Sequence, residues 1–486
     1  MPFLLTALKV LLVLVLAVLA LLLIALVRTL LMPAKKSEFV PAKDAEREAK
    51  YAETLAKMVR YETVSHRGMV ETEKFLGFQK LLEELFPLVH KNMEKTEIDG
   101  NLLFYWKGAS SERPIVLMGH QDVVAAEGSW KHAPFSGDIA EGKVWGRGSA
   151  DTKCSVMAFF QACEELLAAD YQPAQDVYLA SSCTEEIAGD GGPKIVSELK
   201  RRGVRPYLVC DEGGAIVTEP VGGVKGSYAM MGVLEKGTGD VCLTARSNGG
   251  HSSYPPKNSP IARLSAFVTD IEKHNPMKSA FEPQATAMFH TLAPYGPFYF
   301  RYLFGNLWLF KPLVLKLMPS ISPQAAAILR TTVAFTMQSG SEGVNVLPQE
   351  AKLVVNMRYI PHQNMDESVA VIGRLAEKHG LEMEVLDGSP ACKPVDITSE
   401  AYHMAEEAVR RTFPKLPVCP YVMTGATDAR FYHEICDACI RFSPVVYGPD
   451  QMKGMHGLNE NIDTVSLPGA VDFYKTLIGL CEKQKT

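Results

Sequence analysis

Apolar and polar positions change their period several times along this chain, and each change marks an element. The longest apolar run comes first: Val10 to Val27 contains no charged or polar side chain, and the apolar character extends back past Lys9 to Phe3. About 20 such residues cross a hydrocarbon layer as a helix, so 3–27 reads as an uncleaved transmembrane anchor. A signal peptide fits less well, since its apolar part usually covers only about 7–15 residues before a small-residue cleavage site. A charged linker containing Pro41 follows over Ser37–Tyr51. Helical spacing then covers Glu53–Arg60 and Thr72–Phe86, and strand-like runs cover Asn101–Trp106 and Pro114–Met118. A helix follows Asp151 through Ala158, Phe159, Ala162 and Leu166; Asp176–Cys183, Ile195–Arg202 and Tyr207–Cys210 add strand, helix and strand. Such alternation predicts an α/β domain with a mainly parallel sheet.

The character changes near Glu235. Asp240–Ala245 alternates as a strand, Ile261–His274 is helical and Ala351–Tyr359 is again a strand, which reads as an α+β lid or dimerisation domain over 236–362. It would interrupt a catalytic domain whose first segment is 45–235 and whose second is 363–486. Within the lid, Pro294–Ile328 is rich in aromatic residues and leucine. Pro297, Gly305 and Pro312 break it too often for a second span, so it is expected to line or cover a groove, with plain core packing as the alternative.

Composition narrows the function. A chain of 486 residues is too long for a single core, and a net charge of −5 offers no basic footprint, so no nucleic-acid partner is expected. Ten cysteines form no dense framework, and the single CxxC, at Cys436 and Cys439, lacks the second half of a zinc site. One span alone argues against a channel. Lys9 precedes the span while Arg28, Lys35, Lys36 and Lys43 follow it, which by the positive-inside rule holds the body on the cytoplasmic side.

Candidate chemistry gathers at strand ends and tight turns, where open α/β sheets place their sites. PIVLMGHQD delivers His120, with Asp122 placed to accept its second ring N–H. WGRGSADTK delivers Asp151, SCTEEIAGDGG delivers Glu185 and Glu186, VCDEGG delivers Asp211 and Glu212 off the end of a strand, and KGMHGLNENI delivers His456. So many carboxylates repel one another: a unit pair at 4 Å costs about 4 kcal/mol at an effective dielectric of 20. Two divalent ions would neutralise them, and imidazole with carboxylate donors suits Zn2+, two per subunit. His120, Asp151, Glu186, Asp211 and His456 fill the ligand inventory and leave Glu185 as general base.

HQDVV, GRGSADTK, TEEIAGDGG, DEGG, NGGHSSYPP, GVNVLP, NMRYIP and HGLNE together resemble the motifs of the dinuclear zinc peptidases that include aminoacylase, glutamate carboxypeptidase and carboxypeptidase S. The likeness runs from about Glu53 onward. DEGG and LRTTVAFTM place it nearest the branch of N-fatty-acyl-amino-acid synthase/hydrolases. The resemblance implies that Asp151 bridges two ions and that Asp122 orients His120. It also implies that His251 stabilises the oxyanion, often in a partner subunit's site, hence a possible homodimer. Asn345 and Arg358 would grip the substrate, and Gly425–Asp428 would form a substrate-side loop. Relatives use either acid of the DEGG pair, and Asp211 is favoured over Glu212. The implied activity is hydrolysis of N-acyl, especially N-fatty-acyl, amino acids and the reverse condensation; the alternative is a carboxypeptidase acting on small peptides. An inert membrane-tethered binding protein would be expected to lack Glu185. The resemblance points to an extracytoplasmic or secreted body, against the basic flank of the span, and the side stays open.

Overall fold

Strand and helix propensities place most elements where the periodicity predicts them, and the computed structural model describes residues 2–69 and 71–481. Helix α1 (Pro2–Leu31) carries the first apolar run, is exposed over most of its length, and is long and apolar enough to cross a membrane. Helix α2 (Ala45–Arg60) starts at Asp44, whose side chain accepts the Arg47 N–H. Helices α3 (Thr72–Leu85) and α4 (Pro87–Asn92) lead into strands β1 (Glu94–Ile98), β2 (Asn101–Trp106) and β3 (Ser110–Met118). Short β4 (Asp138–Ala140) and β5 (Lys143–Trp145) precede α5 (Lys153–Ala168), β6 (Gln175–Ser181), α6 (Gly191–Arg201), β7 (Leu208–Thr218) and β8 (Ser227–Glu235).

Next come β9 (Gly237–Arg246), β10 (Gly250–His251), α7 (Pro260–Lys273), α8 (Pro283–Leu292), α9 (Phe298–Phe304), α10 (Leu307–Ile321) and α11 (Pro323–Leu329). The chain continues through β11 (Thr332–Ser339), β12 (Val346–Leu347), β13 (Glu350–Tyr359), α12 (Met365–Lys378) and β14 (Glu382–Ser389). It ends with α13 (Glu400–Thr412), β15 (Val418–Met423), α14 (Ala429–Tyr432), β16 (Cys439–Tyr447), α15 (Pro449–Gly454), β17 (Asn461–Asp463) and α16 (Leu467–Leu480).

Eight strands form one mixed sheet in the order β1-β2-β6-β3-β7-β16-β8-β15. Its centre is parallel, β6 with β3, β3 with β7 and β7 with β16, while β1 and β2 are added antiparallel at one edge. Helices α2, α5, α13 and α16 pack together over the sheet in the largest hydrophobic core. A second sheet, β11-β13-β9-β14, is wholly antiparallel and carries its own core against α7 and α12. The chain rejoins the large sheet only after Ser389, past the return expected at 363. Amphipathic α12 and the alternating β14 look like a continuation of either sheet, and only the pairing of β14 with β9 assigns them.

One further expectation changes. Asp211 and Glu212 lie inside β7 and not beyond its end. The first half of β7 pairs with β3, the second half with β8, and its register against β16 jumps from Asp211–Arg441 to Ala215–Ser443. The glycines permit this bulge: Gly213 has φ +105°, and a Cβ on Gly214 would lie 2.3 Å from both the Arg441 and Met230 carbonyl oxygens. Of the two readings of the aromatic stretch 294–328, groove and core packing, the structure takes the second. With α8 the stretch builds a third apolar cluster on β8 and β15, closed by the end of α1 at Leu22, Ala25 and Met32.

Gly214→Ala is expected to destabilise the folded protein by about 1–3 kcal/mol or more through overpacking between two backbones. A lowered midpoint of thermal unfolding in detergent, larger than that of Gly222→Ala in open space, checks this.

Candidate metal centre

Four separate segments meet at the strand ends of the large sheet. His120 lies two residues past β3, and the chain there stays paired to the end of β6: Gly119 N–H donates to Ala180 O at 3.3 Å and Gln121 N–H to Ser182 O at 2.7 Å. The continuation of β6 brings Glu185 and Glu186 alongside. Asp151 comes from the turn before α5, and His456 from the turn after α15, where it adopts φ +52°.

Asp151 is the hinge of the arrangement. Its Oδ1 lies 3.2 Å from His120 Nε2 and its Oδ2 lies 3.1 Å from His456 Nε2, so its two oxygens serve two different imidazoles. His456 Nε2 is also 3.0 Å from Glu186 Oε2. Burial raises the Asp151 carboxyl, but the hydrogen bonds with His120 and His456 outweigh it and hold the group below the usual carboxylate range. Those same contacts lift His456 to about 10.

Of the two DEGG acids, Glu212 faces the cleft. Asp211 accepts the Ala429 N–H at 2.9 Å on one oxygen and the Glu212 N–H at 2.8 Å on the other, and it does not line the cleft. Glu212 lines it together with Asp151, Glu185, Glu186 and His456 around a volume of about 320 Å³. Burial pushes the Glu212 carboxyl well up, and Asp151, Asp211 and Glu186 push it the same way. Adjacent strand residues point to opposite faces, and the bulge determines which one faces the cleft.

Glu185 also lines the cleft. Burial raises its carboxyl well above the ordinary value and Asp428, Glu212 and Glu186 add to this, while His120 opposes them. Asp122 holds the neighbourhood together: one oxygen accepts Ser65 Oγ–H at 2.7 Å and Glu186 N–H at 3.1 Å, the other Glu185 N–H at 3.2 Å. Its orientation of His120 runs mainly through the main chain, with Nδ1 2.8 Å from Asp122 O and 3.6 Å from the carboxylate.

Sequence reasoning missed Glu460 although it stands in the HGLNE motif. This fully buried carboxylate accepts N–H bonds from Gly148, Ala150 and Asp151 at 2.9–3.0 Å on Oε1, and Arg147 pairs with Oε2 at 2.6 Å. It fixes the turn that presents Asp151. The available signal was the acid following a Gly-flanked His, which read as an ordinary loop residue.

Other expected residues lie outside the cleft. His251 is exposed on β10, bonded to Ser253 Oγ at 2.8 Å and stacked on Tyr254, and Asn345 is exposed just before its partner strand β12. Arg358 is half-buried on β13 opposite Thr238, near the junction of the two sheets. Gly425 does line the cleft, on a loop tied down by Glu235, which accepts Thr427 N–H at 2.9 Å and pairs with Arg441. No residue of 294–328 lines it, so the groove expectation is not met; the apolar wall is Tyr421, Met423, Met452 and Met455.

The donor set fits a divalent metal. Ligand atoms of His120, Asp151 and Glu186 lie within 4.8 Å of one another, and Glu186 Oε1 is buried without a hydrogen-bond partner among the described residues. Imidazole and carboxylate groups converging at the strand ends of a mixed α/β sheet, with an antiparallel sheet inserted, define a metallohydrolase. The chain belongs to the M20 peptidases: Peptidase family M20/M25/M40 matches residues 116–479. It is 31% identical to probable carboxypeptidase S-like 2 of Dictyostelium discoideum, over 90% of this chain and 86% of that one. It is 33% identical to the N-fatty-acyl-amino acid synthase/hydrolase PM20D1 of Xenopus tropicalis, over 89% and 86%. Among solved structures it resembles the M20 metallo-carboxypeptidase Sso-CP2 of Sulfolobus solfataricus, with TM-score 0.66, 18% identity and coverage of 89% and 99%.

Two outcomes follow for metal loading. In metal-free protein the His456 charge stabilises fully below its ordinary value of 6.5 and is lost as pH rises through about 10; a divalent cation ligated by this imidazole would displace that proton. Calorimetry of zinc uptake near pH 7.5, in buffers of different ionisation enthalpy, is expected to show proton release that His456→Asn reduces. Glu460→Gln is expected to lower metal affinity about 10–100-fold, as loss of a ligand-supporting contact does, with folding checked by circular dichroism.

Proposed function

We propose that this enzyme is a zinc-dependent amide hydrolase of N-acyl amino acids, chiefly N-fatty-acyl ones, that can also run the reverse condensation. The observation that carries the reading is Asp151 shared between His120 and His456, with Glu185 in the same cleft. His120, Asp151, Glu186, Glu212 and His456 would hold two Zn2+ ions. Bound there, the ions would supply Lewis acidity to the scissile carbonyl and lower the pKa of water.

Glu185 is the general base in this reading. Its carboxylate, made more basic by burial, accepts the proton of the attacking water and returns it to the leaving nitrogen. Asp122 acts behind it as a positioning residue by binding the Glu185 and Glu186 amides. Arg358 and Asn345 grip the substrate carboxylate and carbonyl, the carboxylate suiting a guanidinium fork, and His251 stabilises the oxyanion. All three belong to the second sheet or its short hairpin, so they reach a cleft by closure of that sheet or, in a homodimer, from the partner. The loop at Gly425 flanks the substrate. Tyr421, Met423, Met452 and Met455 offer the acyl chain an apolar wall, where each buried methylene contributes about 0.8 kcal/mol.

The name of the Xenopus relative supports the fatty-acyl reading, and the Dictyostelium relative supports the alternative of a carboxypeptidase on small peptides. In this reading helix α1 anchors the body to a membrane, and removal of the segment would release the body in secreted form.

Turnover of N-oleoyl and N-acetyl forms of one amino acid tests the substrate. Higher kcat/KM for the oleoyl form is expected; equal values remove the fatty-acyl reading, and faster cleavage of dipeptides favours the carboxypeptidase. Glu185→Gln is expected to lower kcat about 10²–10⁴-fold with metal content unchanged. Glu212→Ala is expected to lower the bound metal per chain, whereas Asp211→Asn keeps it.

A further inference from the structure

Helices α9 and α10 present an apolar surface that the rest of the protein does not cover. Phe298, Tyr299, Trp308, Leu313, Leu317 and Ile321 are each 46–77% exposed. Scattered exposed apolar residues are ordinary; six on two consecutive helices that also pack against the end of α1 concentrate apolar exposure in one part of the fold. The charge around them is one-sided. No acidic residue occurs between Glu282 and Glu342, nor before Glu38, while Lys311 and Lys316 are exposed on α10 itself.

The patch is joined to α1 at a definite height. Tyr302 O–H donates to Leu22 O at 3.2 Å, and the buried Asn306 Nδ2 donates to Ala25 O at 3.2 Å and Thr29 Oγ1 at 2.9 Å. At about 1.5 Å per residue the apolar run Phe3–Leu31 is about 43 Å long, more than the hydrocarbon thickness of about 30 Å that some 20 residues span. Residues 3–21 of α1 are exposed, whereas Leu22, Ala25 and Thr29 meet the body. On the anchor reading the uncovered part takes the hydrocarbon, with Lys9 reaching toward the far surface by its stem, and the Leu22–Thr29 contact lies at the near boundary. Whatever packs on α1 there sits at the membrane surface.

We infer that α9 and α10 form an interfacial platform that beds into the same bilayer leaflet in which α1 ends. Its occupant is the lipid itself. The apolar face enters the boundary of head groups and acyl chains by about 5–10 Å, as interfacial helices do, and Lys311 and Lys316 extend their ammonium groups to anionic head groups. This rests on the reading of α1 as an anchor and is independent of the substrate. It also gives the aromatic stretch a role other than lining the cleft: it holds the body at a fixed tilt against the surface in which long-chain amphiphiles dissolve.

Trp308, half exposed on α10, is a built-in probe, because Trp106 and Trp145 are buried and Trp130 stacks on Arg147. The full chain is reconstituted in vesicles of phosphatidylcholine and phosphatidylglycerol, floated on a density gradient, and compared with Trp308→Phe. The fluorescence difference between the two is expected to be quenched by lipids brominated near the head-group end of the chain and protected from iodide. Leu313→Asp with Leu317→Asp, at an unchanged thermal midpoint, is expected to reverse both effects. A chain that floats while Trp308 stays open to iodide overturns the platform but keeps the anchor. Protection from both quenchers means that protein, such as a second copy, covers the patch, and also overturns it. A chain that fails to float removes platform and anchor together.

Discussion

Four carboxylates crowd one cleft in this protein, and the sharing of Asp151 between two imidazoles is what makes the crowd tolerable. Asp151, Glu185, Glu186 and Glu212 are partly buried around one cleft, so negative charge on each disfavours negative charge on its neighbours. Without cations, protons on His120 and His456 supply the balancing charge, which is why both imidazoles are raised against burial. Metal binding and proton loss are therefore opposite faces of one charge balance. The arrangement suits a site whose ligands must be anionic and convergent before any ion arrives.

Behind the cleft, the same device recurs three times. A buried carboxylate from one segment accepts backbone N–H groups of another and so fixes a functional turn. Asp122 holds the amides of Glu185 and Glu186, Glu460 holds those of Gly148, Ala150 and Asp151, and Glu235 holds that of Thr427. Glu460 and Glu235 are further neutralised by Arg147 and Arg441. Such ionised acceptors make stronger hydrogen bonds than neutral ones. They fasten residues more than 60 positions apart, so that loops bearing the chemistry gain the rigidity of the sheet.

The apolar layer is the other half of the design. Helices α8 to α11 and the end of α1 share one hydrophobic cluster with β8 and β15, and Tyr421 on β15 both packs against that cluster and lines the cleft. A single strand thus connects the surface beside α1 to the site of chemistry. Burial of Asn306 against α1 is affordable only because all its amide hydrogens find partners there.

Periodicity and turn chemistry made much of this legible in the chain. The alternation of α/β elements, the anchor-like helix, and the placement of His120, Asp151, Glu186 and His456 are local facts, set by side-chain spacing and by Gly-rich turns at strand ends. What stayed hidden depends on contacts distant in sequence. Whether Asp211 or Glu212 faces the cleft follows from a bulge created where β7 leaves β3 for β8, and Glu460 becomes important only because it reaches amides some 310 positions away. Residues near 302–306 close on α1 across about 280 positions, and β14 joins the second sheet through β9. Sequence pattern determined which residue types could do chemistry and on what kind of element; tertiary packing alone decided which of them meet, because pairing register and side-chain contact are properties of neighbouring segments and not of any one segment.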